Sequence, residues 1–147
     1  MTSVRLTGTK ELKETLRRLG VNADKELSDA VRMTAQAIRN NAIKSIARGT
    51  KSGDVYEKTN PRRTHTASGA GESPATDTGR LVGSIRADIA GKDASVSANT
   101  TYAAALEFGT RNMEPRPYMV PALEAERPAW QRRLEQAVDK ATKRAAR

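Results

Sequence analysis

Few side chains in this 147-residue sequence have the type and spacing of a catalytic centre. His65 is the only histidine and there is no cysteine, so His65 lacks a partner for general acid–base catalysis and a transition-metal site lacks its usual ligands. Residues 69–74 (GAGESP) begin like a dinucleotide-binding fingerprint, but Pro74 replaces the third glycine and no strand is predicted before them. Residues 91–93 (GKD) lack the Ser or Thr of a phosphate-binding loop. We therefore expect no enzyme active site, no metal and no cofactor.

Basic side chains outnumber acidic ones, 26 to 17, for a net charge of +9. Such a charge suits contact with DNA or with an acidic protein, because Lys and Arg that neutralise phosphates release counterions. The candidate contacts are Arg62, Arg63, Arg132, Arg133, Lys143 and Arg144. Base stacking needs aromatic side chains, and residues 64–77 contain no Phe, Trp or Tyr. A basic, non-specific nucleic-acid-binding protein therefore stays open as an alternative function.

The composition predicts a thin hydrophobic core. Apolar residues make up 37% of the chain, but 23 of them are alanine and aromatic residues are only 3%. Burial stabilises by roughly 0.8 kcal/mol per CH₂ group, so alanines add little. We expect the chain either to stay partly disordered or to complete its burial against other copies of itself. The sequence has no apolar run near 18 residues and no apolar start typical of a secretory signal, so no membrane segment is expected.

The N-terminal third predicts two helices. Leucines at positions 12, 16 and 19 have helical spacing over residues 10–19, and Gly20 can end that helix. The second helix covers about residues 23–47, with Asn22 as its N-cap.

A long loop follows over residues 49–77, where Gly, Ser, Thr and Pro dominate. Apolar residues in this segment do not recur at the spacing of a helix or a strand. Loops of this length are usually functional or disordered until something binds them. We therefore interpret residues 48–75 as a flexible docking arm within a single domain that spans residues 1–147.

The remainder predicts a small antiparallel sheet and a C-terminal helix, and hence an α+β fold. Residues 85–89 and 96–98 alternate apolar and polar around a turn at 91–93. A short helix at 102–108 precedes an extended, proline-containing segment. Pro121 suits the start of the last helix, and Pro128 predicts a kink or a restart in it. Its expected buried face consists of Leu123, Trp130, Leu134, Val138 and Ala141.

Two blocks stand out from ordinary surface sequence: residues 77–85 (DTGRLVGSI) and residues 102–122, which contain YAAALEFGT and RPYMVPA. Their order and spacing resemble the small head–tail joining proteins of long-tailed bacteriophages, known as minor tail-component, neck or tail-completion proteins. The resemblance covers about residues 74–123 and is looser over the N-terminal helices.

The resemblance implies a non-enzymatic virion part: a connector, tail-completion or tail-terminator protein. Copies would form a ring that joins the portal complex to the tail, lets DNA pass, and contacts other connector and tail proteins. It would reside in the virion at the head–tail junction and in the host cytoplasm during assembly.

The residues of the assembly and core motif are Thr78, Gly79, Arg80, Leu81, Ile85, Tyr102, Leu106, Glu107, Phe108, Gly109, Thr110, Arg116, Pro117 and Tyr118. Among these, we expect six apolar or aromatic side chains to hold the sheet to the long helix: Leu81, Ile85, Tyr102, Leu106, Phe108 and Tyr118. We further expect Glu107 to pair with Arg116, across the sheet or between subunits.

Overall fold

The computed structural model describes residues 9–145, with side chains from residue 14 onward. Within them, four helices and two antiparallel hairpins form an α+β fold, as predicted. In chain order the elements are α1 (Thr9–Arg48), β1 (Val55–Thr59), β2 (Arg62–Thr66), α2 (Arg80–Ser84), β3 (Ile85–Ala90), β4 (Asp93–Ala98), α3 (Ala103–Phe108) and α4 (Met119–Ala145). The two long helices pack against each other, and the β3–β4 hairpin packs against α1.

Helix α1 runs through Gly20 without a break, so the predicted division into two N-terminal helices is wrong. A glycine ends a helix by adopting the left-handed conformation, and Gly20 is not among the glycines with positive φ. Asn22 accordingly lies inside the helix rather than at an N-cap. A glycine in a helix interior costs only about 1 kcal/mol relative to alanine, which packing along the rest of the helix offsets. The 40-residue helix is about 60 Å long at 1.5 Å per residue.

The segment between α1 and α2 contains a β-hairpin where the sequence predicted only irregular chain. Strand β1 pairs with β2 so that Tyr56 lies opposite His65 and Lys58 lies opposite Arg63. Most of the side chains in the two strands are polar and neither strand contains a buried residue, so the apolar alternation that reveals a half-buried strand is absent.

The second hairpin matches the predicted one. Strand β3 pairs with β4 from Ile85 opposite Ala98 to Ala90 opposite Asp93. Gly91 lies in the turn with φ 62°, a conformation that glycine adopts without steric cost.

Helix α4 begins two residues before the predicted start and continues to Ala145. Pro121 is its third residue, where a missing N–H costs nothing because the first turn has no intrahelical acceptors for its donors. Pro128 lies inside the helix, so a restart there is wrong. Pro128 is solvent-exposed, and α4 packs against α1.

The buried face of α4 differs from the predicted one. Of the five predicted residues, Ala141 is buried as expected, Trp130 and Leu134 are half-buried, and Leu123 and Val138 are exposed. The buried positions of the helix are all alanines: Ala122, Ala137, Ala141 and Ala145. They face an α1 whose buried residues include Ala30, Ala35 and Ala42. Small side chains let two helices approach closely. The bulkier side chains of α4, such as Leu123 and Val138, lie outside the buried interface.

The larger buried side chains gather at one end of the helix pair. Tyr118, Ile46 and Ile85 are the largest fully buried side chains among those described. Leu81 of α2 and Ala103 of α3 complete this core. The core therefore joins α1 to the two sequence blocks at residues 77–85 and 102–122. Few large apolar side chains are buried elsewhere in the described part of the chain.

Candidate assembly site

Glu107, in the last turn of α3, caps the N-terminus of α4. Its Oε2 accepts hydrogen bonds from the backbone N–H groups of Tyr118 and Met119, both at 2.9 Å, and its Oε1 accepts one from Val120 at 2.8 Å. The next residue, Pro121, has no N–H. The first-turn donors, which a helix cannot satisfy internally, thus meet a carboxylate that is only 7% exposed. The carboxylate also lies at the positive end of the helix dipole.

Arg116 does not pair with Glu107 within the subunit, so that part of the prediction is wrong. The guanidinium Nε of Arg116 donates to the carbonyl oxygen of Ser68 at 3.1 Å. Its backbone N–H donates to the carbonyl oxygen of Leu106 at 2.7 Å. The reason is geometric: the N–H groups of Tyr118 and of the first two residues of α4 occupy both oxygens of Glu107. Arg116 instead links α3, through Leu106, to Ser68, which lies just after the β1–β2 hairpin.

A tight reversal between α3 and α4 makes this cap possible. Gly109 has φ 76° and ψ −179°, and a Cβ there would lie 2.8 Å from the carbonyl oxygen of Met113. Thr110 N–H donates to that same oxygen at 2.8 Å. The reversal brings Pro117 and Tyr118 back beside α3, so the LEFGT and RPYM blocks form one unit.

Tyr118 anchors this unit in the core. It is 2% exposed, and burial, aided by the nearby Glu107 carboxylate, raises the pKa of its phenol to about 12. Leu81 and Ile85 are buried beside it as predicted, and Leu106 is half-buried against the same cluster.

Two of the six predicted core residues lie elsewhere. Tyr102 is partly exposed and Phe108 is 75% exposed, so Phe108 is not a core residue. Because Glu107 and Phe108 are adjacent on a one-and-a-half-turn helix, turning Glu107 inward turns Phe108 toward solvent.

The turn that leads into α2 fastens the β1–β2 hairpin. The side chain of Asp77 binds Lys58 and Arg63, and these hydrogen bonds lower the pKa of its carboxyl to about 2. The predicted N-cap, Asp77 or Thr78, is wrong, because Gly79 occupies the cap position with φ 73° and no side-chain cap bond. Thr78 and Arg80 are exposed.

The rest of the predicted docking arm is tied to the end of α1. Lys51 Nζ donates to the carbonyl oxygen of Ser73 at 2.6 Å, and Ser73 Oγ donates to the carbonyl oxygen of Ser45 at 2.6 Å. Glu72 accepts the N–H groups of Ser52 and Gly69 at 2.9 and 2.8 Å, and its pKa is lowered by hydrogen bonds from the same two residues. Polar contacts, rather than apolar burial, hold this segment.

Most of the six predicted DNA or partner contacts are engaged within the subunit. Arg63 binds Asp77, Lys143 binds Asp139 and Arg144 binds Glu26. Arg133 contacts both Glu126 and Thr34, each at 3.0 Å. Arg62 and Arg132 are exposed and have no ion pair among the described side chains. Four of the six basic side chains therefore have partners within the subunit.

An apolar groove, which the sequence analysis did not identify, lies between α1, the β3–β4 turn and the first half of α4. Its volume is about 530 Å³. The lining includes Ile38, Val96, Met119, Val120, Leu123 and Trp130. Leu123 and Trp130 belong to the predicted buried face of α4 but line this groove. Apolar residues have the same helical spacing whether they face a core or line an open groove, so the sequence does not distinguish the two.

A second, smaller cavity of about 350 Å³ lies beside the motif unit, with His65, Tyr102 and Arg116 among its lining residues. No group of three or more metal-ligating side chains occurs in the described part of the chain. Across residues 9–145, no helix is both long and apolar enough to cross a membrane.

Comparison with protein families identifies one match. Residues 10–109 match the model of the HK97-gp10-like family, described as "Bacteriophage HK97-gp10, putative tail-component". Searches of curated proteins and of solved structures find no match. The matched region runs from α1 to the end of α3 and includes Glu107, Phe108 and Gly109.

Proposed function

We propose, from the premise that the chain belongs to the HK97-gp10-like family of bacteriophage tail components, that it is a non-enzymatic structural protein of the head-to-tail connector. In this proposal copies assemble as a ring that joins the portal complex to the tail and lets DNA pass. The ring serves as a neck, tail-completion or tail-terminator layer. The protein contacts itself, other connector proteins and tail proteins, in the host cytoplasm during assembly and then in the virion.

The observation that carries the proposal is how little of its apolar side-chain surface one subunit buries. Among the described residues, eight of the twelve buried hydrophobic residues are alanines, and the largest fully buried side chains are Tyr118, Ile46 and Ile85. Apolar surface left uncovered in this way is what obligate interfaces between subunits bury. Head-to-tail interfaces that close produce rings.

The type of exposed residue supports the same proposal. Exposed large apolar side chains occur along most of the chain: Leu16, Val21, Met33, Val55, Tyr56, Ile89, Tyr102, Phe108, Val120, Leu123 and Val138. Single exposed apolar residues are ordinary. Their number here, beside a core built largely of alanine, is typical of a subunit whose burial is completed by neighbours.

Both hairpins also offer unpaired strand edges. Each sheet in the described residues has two strands, and an isolated two-stranded hairpin is at best marginally stable in water. Strand edges readily pair with another chain, so both hairpins are suited to inter-subunit contact.

Depletion of the protein from a phage infection tests the proposal. We expect DNA-filled heads and separate tails to accumulate, with joining restored when the wild-type chain is supplied in trans. Electron microscopy of the lysate distinguishes these products. Fully joined, infectious particles that lack the chain would contradict the connector role.

The alternative, a non-specific nucleic-acid-binding protein, is favoured by the net charge of +9. Binding of duplex DNA by a monomer, with an affinity that falls steeply as salt rises, would support it. The match to a family of bacteriophage tail components makes a structural virion role the better-supported proposal.

A further inference from the structure

The smaller cavity is lined by both conspicuous sequence blocks, at residues 77–85 and 102–122. Its volume is about 350 Å³, and its lining includes Asp77, Thr78, Leu81, Tyr102, Leu106 and Arg116. Leu81 and Leu106 belong to the core or pack against it, whereas Thr78 and Tyr102 are exposed. Core packing therefore accounts for the apolar members of the lining but not for the polar ones.

Arg116 brings a positive charge to this cavity without an acidic partner. The residue is half-buried, and its Nε donates to the carbonyl oxygen of Ser68 at 3.1 Å, which holds the guanidinium in place. Its two terminal nitrogens make no hydrogen bond or ion pair with any residue in the described part of the chain. Because a charge that is partly removed from water is costly without an opposite charge beside it, this position favours an anion.

Asp77, the only acidic residue in the lining, does not balance Arg116. Its carboxylate binds Lys58 and Arg63 instead. Around the cavity, three cationic side chains thus stand against one carboxylate. The resulting positive potential attracts a negatively charged ligand.

The other lining residues favour a carboxylate on a short aliphatic stem. Ser68, which is 5% exposed, and Tyr102 contribute hydroxyl groups that can donate hydrogen bonds. Leu81, Leu106 and Pro74 supply apolar surface beside them. The methylene groups of an Asp or Glu side chain can contact that surface, and the carboxylate matches the planar fork of a guanidinium with two parallel hydrogen bonds.

A DNA phosphate fits this cavity less well. Phosphates of a duplex lie on its outer surface, and proteins bind them through several Lys and Arg side chains at once. The cavity offers the single guanidinium of Arg116, set among apolar side chains. Its volume is at the small end of the range of about 300–1,000 Å³ for ligand pockets, which suits one amino-acid side chain.

We infer that this cavity binds the carboxylate of an acidic side chain from a neighbouring virion protein, with Arg116 as its ion-pair partner. The inference rests on the proposed function, because it names the chemistry of one contact by which the connector holds a neighbour. The hydroxyls of Ser68 and Tyr102 orient the bound carboxylate. The polar residues of both sequence blocks thereby share one binding site.

Titration of the full-length chain with a blocked glutamate, N-acetyl-glutamate N-methylamide, tests the site. This probe carries the side-chain carboxylate without the charges of a free amino acid. We expect saturable NMR shifts of the Arg116 Nε–H signal and of the Ser68 and Gly79 amide signals in the millimolar range at constant ionic strength. The blocked glutamine has nearly the same shape but no charge, and should cause no such shifts. Equal shifts from both probes, or none from the blocked glutamate, would overturn the inference.

Two substitutions and a matched control assign the binding to the cavity. We expect Arg116→Gln to weaken binding of the blocked glutamate roughly tenfold to a hundredfold, and Tyr102→Phe to weaken it about threefold to tenfold. Arg111→Gln is the control, because Arg111 is exposed and outside the cavity lining. Wild-type binding by Arg116→Gln, or an equal loss in Arg111→Gln, would overturn the inference. If Arg116→Gln does not fold, unchanged binding by Tyr102→Phe, which removes only a hydroxyl, would overturn it.

Inorganic phosphate tests for the other class of anion. We expect it to bind more weakly than the blocked glutamate, because it lacks the aliphatic stem. Tighter binding of phosphate, lost in Arg116→Gln, would assign the cavity to a phosphate group such as those of DNA and would overturn the inference.

The depletion experiment separates this inference from the connector role. We expect Arg116→Gln supplied in trans to restore joining less well than the wild-type chain or Arg111→Gln. Full restoration by Arg116→Gln would overturn the inference and leave the connector role intact. Joining that does not need the wild-type chain at all would contradict the connector role, and the titration would still decide whether the cavity binds a carboxylate.

Discussion

Glu107 and Tyr118 are joined by a hydrogen bond of 2.9 Å from the Tyr118 backbone N–H to Glu107 Oε2. The bond links the end of α3 to the residue that precedes α4, and the same carboxylate accepts two further N–H groups. A buried side chain of one helix thus provides the N-cap of another. The relative positions of the two halves of the block at residues 102–122 depend on this contact.

Removing the cap should destabilise the fold. We expect Glu107→Ala to lower the free energy of unfolding by about 3 kcal/mol, because it leaves buried N–H groups without acceptors. Glu107→Gln keeps one acceptor oxygen and should cost less, about 1–2 kcal/mol. Urea denaturation followed by circular dichroism measures both. Glu135→Ala, at an exposed position of α4, is the control. A Glu107→Ala variant as stable as this control would contradict the capping role.

Gly20→Ala tests the continuity of α1. Gly20 lies inside the helix without a positive φ, and a Cβ there would meet nothing within 4 Å. We therefore expect the alanine to raise the free energy of unfolding by about 0.5–1 kcal/mol. If Gly20 instead ended a separate first helix, the same substitution would destabilise the protein. Thermal denaturation distinguishes the two signs.

Gly109→Ala should act in the opposite direction. Its φ of 76° disfavours any side chain, and the added Cβ would lie 2.8 Å from the Met113 carbonyl oxygen. We expect a loss of about 2–4 kcal/mol, since backbone strain and a steric clash combine. Gly83→Ala is the matched control, because that glycine has open space and no positive φ. Equal stabilities of the two variants, measured by urea denaturation, would show that the reversal is not as described.

The attachment of the β1–β2 hairpin should depend on pH. The pKa of Asp77 falls from 3.8 to about 2 through hydrogen bonds from Lys58 and Arg63. Since the folded-state pKa is the lower one, the ionised carboxylate stabilises the attachment above pH 3.8, and this contribution is lost as the pH falls toward 2. Hydrogen exchange of the backbone amides of the β1–β2 hairpin, measured from pH 3.8 down to pH 2, reports the strength of this attachment.

Asp77→Asn should remove that pH dependence and increase exchange in residues 55–66 at neutral pH. Asp88→Asn, at an exposed position of β3, should leave both unchanged. Identical exchange in the Asp77→Asn variant and the wild-type protein would contradict the role of Asp77.

Local patterns predicted the α+β class, the β3–β4 hairpin and the long C-terminal helix, because each depends on residues close in sequence. The N-cap of α4 was not predictable in this way: Glu107 lies eleven residues before Tyr118 and reaches it only through the Gly109 reversal. Helical spacing also could not show that α4 buries its alanines and leaves Leu123 to an open groove. The facing helix decides which stripe is buried.

The expected Glu107–Arg116 pair failed for a similar reason. Opposite charges near each other in sequence favour an ion pair, but backbone N–H groups at a helix start compete for the same carboxylate. The exposure of Phe108 follows from that competition, because the inward position on α3 is taken by its polar neighbour. Two of the failures of local reasoning, the Glu107–Arg116 pair and the burial of Phe108, thus lie in the candidate assembly site.

Electron cryomicroscopy of purified virions, with reconstruction focused on the head–tail junction, tests the central claim most directly. The account predicts a closed ring of this chain between the portal complex and the tail, with apolar surface of each copy covered by its neighbours. A junction that lacks this chain, or one in which its copies make no contact with one another, would contradict it.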